Sequence, residues 1–284
     1  MTTRRITFIL AIIAIAGCGS SKWLLRETKY ENGQIKEQYY VKIGPQGVDI
    51  KDGHFVLYRD NGQKQSEGTY RDGNKAGIVT NWHENGLKES EWHYRDGKLE
   101  GPFTRWYNNG QEAVQGTFRN DKEEGFFTYW YENGVKQSEK TFYNGKPEGL
   151  CTSWYEKTGR KQSEETCKDG ALEGLRVFWY ENGQKQSEKN YLGGFSEGSY
   201  THWYENGVKE SEWHYKGGQL EGPFARWYEN GRKRMKGTYR DSKLDGVLML
   251  WDNNGRKLPE ETYKDGIIKK KAKMRTNKRK KKRR

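Results

Sequence analysis

Glycines recur along this chain at a near-constant interval, and that interval limits the possible folds more than any other feature. Aligned on one turn glycine, the series runs Gly33, Gly62, Gly86, Gly110, Gly134, Gly159, Gly183, Gly207, Gly231 and Gly255, with spacings of 29, 24, 24, 24, 25, 24, 24, 24 and 24 residues. Three further columns keep the same register. Tryptophans run from Trp82 to Trp251 before the glycine, Tyr or Phe from Tyr70 to Tyr263 after it, and a second glycine series from Gly77 to Gly246. A fixed period of this length marks a repeat architecture, in which each unit buries its apolar side chains against its neighbours.

Within a period, two runs rich in Tyr, Thr and Trp flank an Asn-Gly step such as Asn206-Gly207. Asn-Gly between such runs signals a β-hairpin with a type I′ turn, and the Asp-Gly-x-x-x-Gly stretch, as in Asp96 to Gly101, then links one hairpin to the next. Glycines interrupt every window long enough for a helix. Only 32% of the residues are hydrophobic, too few for a conventional core, yet 14% aromatics and 35 Gly exclude simple disorder. Strand alternation puts adjacent Trp and Tyr on opposite faces. With a two-residue turn, the Trp column shares its face with the residue three beyond the turn glycine, and the second aromatic column shares its face with Ser66, Ser138 and Ser187. The expected fold is all-β, an elongated single-layer antiparallel β-hairpin repeat array of about ten 24-residue repeats, stacked ring on ring without a central core.

The patterns Tyr-Glu-Asn-Gly-x-x-Lys-x-Glu and Tyr-x-x-Gly-x-x-x-Gly resemble the variant MORN repeat of bacterial proteins of the YwqK antitoxin type. The resemblance covers Tyr30 to Gly266. It implies a MORN-like fold and an antitoxin-type role, in which the protein neutralises a toxic protein partner by occupying it. Two units depart from the pattern: the first carries the insertion Gly44-Pro45-Gln46-Gly47, and the one at Lys157-Thr158-Gly159 has one extra residue and no Asn. A larger duplication is also present, since Lys88 to Tyr107 and Lys209 to Tyr228 agree at 16 of 20 positions at an offset of 121. Identity between repeats therefore reports shared origin before it reports function.

The opening reads as an export signal, with Arg4-Arg5, an apolar run from Ile6 to Ala16, then Gly17-Cys18-Gly19. The run is too short to span a membrane. Ile15-Ala16-Gly17-Cys18 resembles a bacterial lipobox, which makes Cys18 the lipidated first residue of the mature chain. An ordinary signal peptide cleaved nearby, or an uncleaved apolar start, is the alternative. The expected organisation is a signal peptide over 1–17, a lipidated tether over 18–29, repeats over 30–266 and a disordered basic tail over 267–284. The expected location is the bacterial cell envelope, at the outer membrane or cell surface.

The net charge of +13 comes from the ends, because residues 267–284 hold twelve Lys or Arg and no acid. Lys269, Lys270 and Lys271 open this run, and Lys278, Arg279, Lys280, Lys281, Lys282, Arg283 and Arg284 close it. Such a segment contacts polyanions without folding. Export directs it toward anionic lipid or an anionic polymer and away from nucleic acid.

The sequence offers no catalytic constellation, metal site or cofactor motif. Glu84, Glu132, Glu181 and Glu205 recur at turns, where solvated carboxylates pair with Lys or Arg. His54, His83, His93, His202 and His214 show no ligand spacing. Cys151 and Cys167 fall on the two strands of one hairpin, one diagonal step from opposition. Diagonal neighbours lie about 7–8 Å apart, at the limit of disulfide reach, so a disulfide and two buried thiols both remain open. The aromatic columns admit two readings, a ladder for carbohydrate or peptide and a set of rings stacked on neighbouring hairpins. The functional expectation is a non-enzymatic, membrane-anchored scaffold for a protein partner. The alternative is a structural envelope lipoprotein that grips an anionic or glycan polymer.

Overall fold

The computed structural model describes residues 23–271, and the chain divides into two compact units, Met1–Lys146 and Pro147–Arg284. In the first unit five hairpins follow one another: Leu24–Lys29 with Ile35–Ile43, Asp49–Tyr58 with Lys64–Arg71, Asn74–Trp82 with Lys88–Arg95, Lys98–Trp106 with Glu112–Arg119, and Gly125–Trp130 with Lys136–Tyr143. Each second strand also pairs with the first strand of the next hairpin, giving one antiparallel meander a single layer thick. The second unit is built the same way from Gly149–Trp154 with Lys161–Lys168, Gly174–Trp179 with Lys185–Leu192, Phe195–Trp203 with Lys209–Lys216, Gly222–Trp227 with Lys233–Arg240, and Gly246–Leu250 with Glu261–Lys264. The all-β hairpin array read from the period is thus present in both units.

Two kinds of turn alternate, and their chemistry is the reverse of the expectation. At Asn85-Gly86, Gly86 N donates to His83 O at 3.1 Å and His83 N to Leu87 O at 2.9 Å. Gly86 has φ +84°, and Asn85 is not left-handed. This is a type I turn closed by a left-handed glycine, the three-residue hairpin loop. Asn85 Oδ1 supports it by accepting from Leu87 N at 3.0 Å. The type I′ geometry lies at the links, where Asp72-Gly73 has φ of 49° and 83° and Asp96-Gly97 has 50° and 81°. Asp tolerates the left-handed region and Gly adopts it without strain, so Asp-Gly suits both central positions.

The longer loop changes which residues share a face. Asn81 opposes Ser90, but Trp82 opposes Lys88, which leaves Glu89 as the extra residue of a bulge. Lys88 therefore joins the Trp face, and Glu89, three beyond the turn glycine, points to the other face. The sequence pairing of these columns is corrected by this bulge.

The face opposite the tryptophans carries a packed column, contrary to the expectation of an array without a core. Its members lie two residues beyond the link glycines. Phe55, Val79, Phe103 and Phe127 in the first unit and Cys151, Phe224 and Leu248 in the second are all buried. The second aromatic column packs beside them, with Phe118 ring centroids 5.6 Å from Phe103 and 5.7 Å from Phe127. Gly116 faces this layer, and a Cβ there would run into the Phe127 ring. In the second unit the layer turns polar. Arg176 Nε lies 2.7 Å from Glu165, and Lys189 Nζ lies 5.5, 5.2 and 4.2 Å from the rings of Tyr191, Tyr200 and Tyr215. Burial, and then the Arg176 charge, lowers the Lys189 pKa.

The irregular repeats are absorbed locally. Pro45–Gly47 forms a single 3₁₀ turn in the first link. The extra residue near Gly159 stays in its loop, because Ser153 still opposes Ser163 and Trp154 opposes Lys161. The basic segment also begins differently from the expectation of disorder, since Ile267–Lys271 is a strand paired with Glu261–Lys264. Ile268 opposes Tyr263, and Lys271 Nζ meets Glu261 at 2.8 Å, so an ion pair and the ladder hold these five residues in the sheet.

Candidate binding surfaces

Both rims of each unit are tied from one repeat to the next, which makes the faces between them firm platforms. On the Asn-Gly rim, Tyr107 Oη donates to Trp130 O at 2.8 Å, and Tyr155, Tyr180, Tyr204 and Tyr228 donate to Trp179, Trp203, Trp227 and Trp251 carbonyls at 2.7 to 2.9 Å. Burial raises the pKa of the Tyr155, Tyr180 and Tyr204 phenols, which keeps them donors. Asparagine amides add a parallel bond, as from Asn109 Nδ2 to Glu132 O at 2.9 Å. On the Asp-Gly rim, Gly97 N donates to Lys75 O at 2.9 Å, and Glu100 accepts from Asn120 N at 3.0 Å. The Glu of the Leu-Glu-Gly link is therefore a structural acceptor.

The Trp face is largely occupied by the chain's own lysines. Lys64 Nζ lies 5.6 Å from the Trp82 ring and 2.7 Å from Glu67, and Lys88 lies 5.8 Å from Trp106 and 2.5 Å from Glu91. In the second unit Lys185 and Lys209 stand 5.6 Å from Trp203 and Trp227. Each lysine bridges to the tryptophan of the following repeat by a cation–π contact. These rings act as repeat-to-repeat contacts, the second of the two readings given to the aromatic columns.

The same face carries one column left open. Residues directly after the link glycines, Ile78 and Phe126 in the first unit and Leu150, Leu175 and Val247 in the second, are 50%, 55%, 52%, 48% and 43% exposed. Their cross-strand neighbours are uncharged or His: His93, Thr141, Thr166, Asn190 and Thr262. The sequence reading missed this column because its positions vary between Ile, Pro, Phe, Leu, Val, His54 and Ser199. The constant offset from the link glycine is the signal that finds it.

Glu84, Glu132, Glu181 and Glu205 are exposed at the loops. His83 Nε2 lies 2.9 Å from Trp106 O and His93 Nδ1 2.7 Å from Pro102 O, both structural bonds. Among the described residues no group of three or more His, Cys, Asp or Glu is placed to hold a metal, and no helix is long and apolar enough to cross a membrane. Cys151 and Cys167 are buried on one face; Cys151 opposes Glu165 and Cys167 opposes Gly149, one diagonal step apart. Lys269, Lys270 and Lys271 are exposed on the last strand. Cys18 and the run Lys278 to Arg284 lie outside the described residues.

The family described as "MORN repeat variant" matches residues 51–72, 172–192 and 196–216, segments that each run to the end of the second strand of a hairpin or one residue beyond it. The architecture is MORN-repeat-like. No curated protein matches the chain. Two similar solved structures are "Crystal Structure of TcdB2-TccC3-Cdc42", at 11% identity, and "Crystal Structure of TcdB2-TccC3 without hypervariable C-terminal region", at 8%, each with a TM-score of 0.20. They cover 85% and 87% of this chain, which spans 14% and 16% of theirs. A likeness at that score carries nothing about partners or activity.

Proposed function

We propose that this chain is a non-enzymatic repeat scaffold, held at a bacterial envelope membrane through a lipidated Cys18, that receives a protein partner in the manner of an antitoxin or immunity protein. The open column at Ile78 and Phe126, and its counterpart at Leu150, Leu175 and Val247, carries the partner reading. Apolar side chains about half exposed at five of the nine positions after the link glycines, each with an uncharged residue or His directly across the strand, match the charge-poor centre of a protein interface. The lysine-covered tryptophans are poorer platforms for a glycan, which needs bare ring faces. Carboxylates along this chain serve turns and ion pairs, which supports a binding role over a catalytic one.

The test is site-specific photocrosslinking in the native membrane. A photoreactive residue at Phe126 is expected to give one discrete adduct, while the same group at the exposed Glu84 gives none. An identical smear from both positions overturns the reading. Labelling with a palmitate analogue checks the anchor, which requires label on the wild type and none on Cys18→Ser.

A further inference from the structure

On the face opposite the open column, the first unit contains a cleft of about 330 Å³ lined by Arg59, Asn81, Glu89, Ser90 and Arg105 over a floor of Trp92 and Phe103. The centroids of the two floor rings lie 4.0 Å apart, with the ring planes tilted by 30°. Arg59 is anchored at one end, where Nη2 donates to Trp82 O at 2.8 Å, yet its Nε is buried without a hydrogen-bond partner. Ser90 is 4% exposed, and its Oγ accepts from Asn81 Nδ2 at 2.8 Å and Trp92 Nε1 at 2.9 Å. Both acceptor positions are filled, so the Ser90 hydrogen is left to donate. Glu89 and Arg105 make no ion pair or side-chain hydrogen bond among the described residues. A second hollow of about 420 Å³ shares Arg59 and Glu89 and extends the cleft along the rim.

The internal duplication supplies a comparison. At an offset of 121, the nine lining positions become Tyr180, Gln186, His202, Glu210, Ser211, Trp213, Phe224, Arg226 and Met235, six of them unchanged. In that copy the carboxylate of Glu210 closes the site, with His202 Nδ1 at 2.8 Å and Arg226 Nη2 at 3.1 Å. The arginine at this position therefore takes a carboxylate when one is held in reach. In the first unit Asn81 replaces the histidine and bonds Ser90 instead, so nothing draws Glu89 onto Arg105, and Arg59 replaces Tyr180.

We propose that this first-unit cleft is a receptor for a peptide carboxylate that has an N–H group beside it. Arg59, Arg105 and the Ser90 hydroxyl face the carboxylate, and Glu89 accepts from the N–H. Arg59 Nη1 also lies 3.8 Å from the carboxylate of Glu84, which is 86% exposed and screened by solvent, so inside the cleft the two guanidiniums against Glu89 suit a monoanion, while a phosphate dianion would meet both acids. The choice of a peptide rests on the scaffold reading above. A glutamate side chain and a chain terminus present the same chemistry, and the experiment separates them.

The full-length chain is titrated with N-acetylglutamate amide, N-acetylglycylglycine and the neutral N-acetylglutamine amide, with binding followed by calorimetry. A carboxylate probe is expected to bind one equivalent, and the neutral probe none; whichever carboxylate binds more tightly names the source. The double variant Arg59→Tyr with Asn81→His carries the closed arrangement into the first unit and should weaken binding about tenfold or more at unchanged circular dichroism. The reverse pair, Tyr180→Arg with His202→Asn, should open a second equivalent. If the first double variant unfolds, Arg105→Gln gives the same readout from an exposed position. Millimolar carboxylate without a heat of binding, or wild-type affinity in the folded variants, overturns the proposal. Crosslinking from Phe126 reports on the other face, so this site and the scaffold reading fail independently.

Discussion

The hydroxyl of Tyr107 donates to the main-chain carbonyl of Trp130, 23 residues further on, at 2.8 Å. This bond joins successive repeats, and it explains why tyrosine stands next to tryptophan before most turn glycines. Tyr107→Phe removes the donor and leaves the part-buried carbonyl unsatisfied. The expected loss is about 1 kcal/mol in urea denaturation. Tyr143→Phe, at a tyrosine 66% exposed, is the control and should change nothing measurable.

Phe127 is 2% exposed, whereas Trp130 is only partly buried beneath the rim. Phe127→Ala should cost about 3–5 kcal/mol through lost burial and the cavity left behind. Trp130→Ala should cost less, although tryptophan is the larger side chain. Equal or inverted losses would place the core on the Trp face.

Gly116 and Gly86 resist substitution for different reasons. Gly86 has φ +84° and open space around it, so Gly86→Ala carries only backbone strain, about 1 kcal/mol. Gly116 has no positive φ, but an added Cβ meets the buried Phe127 ring. Gly116→Ala should cost about 1–3 kcal/mol by overpacking. Gly116→Ala combined with Phe127→Leu should recover part of that loss, while the same second change should do nothing for Gly86→Ala.

The period made the hairpins, their number and the aromatic columns legible, because glycine and ring spacing survive every local irregularity. Which face is packed was not legible. A single bulge at Glu89 moves Lys88 onto the tryptophans, and no residue type announces a bulge. The turn types were exchanged for a related reason: Asn-Gly and Asp-Gly both suit left-handed backbone, and only the loop hydrogen bonds separate a three-residue loop from a two-residue one. The cleft was hidden more deeply. Arg59 and Asn81 occupy positions where most repeats carry other residues, so alignment by the common pattern treats them as noise.

Glu261 anchors the last strand and gives it a dependence on pH. Hydrogen bonds from Lys271, and then from Tyr263, hold its carboxyl below the usual carboxylate range. An acid whose pKa is lowered by folding contributes fully above its unfolded value, near 4.3, and the contribution is lost as pH falls through the folded value. Ile268 methyl signals should therefore shift toward their unpaired positions as pH falls below about 4.3, and Glu261→Gln should remove that transition. An unchanged profile in the variant would assign the transition to another group.

The basic end of the chain divides at Lys271. Ile267–Lys271 belongs to the sheet, with Lys271 paired to Glu261, while nine of the twelve bases lie beyond it. Each base near an anionic bilayer contributes about 1 kcal/mol, and the attraction decays within a Debye length. Deleting residues 272–284 from a Cys18→Ser chain should abolish sedimentation with phosphatidylserine vesicles and leave the melting temperature unchanged. Deleting 267–284 should abolish sedimentation too, but should also lower the melting temperature, because it strips a paired strand from Glu261–Lys264. Wild-type sedimentation should fall steeply with added salt. Binding that survives the shorter deletion would move the membrane contact onto the repeats, and equal melting temperatures for the two deletions would mean that the last strand contributes nothing to the fold.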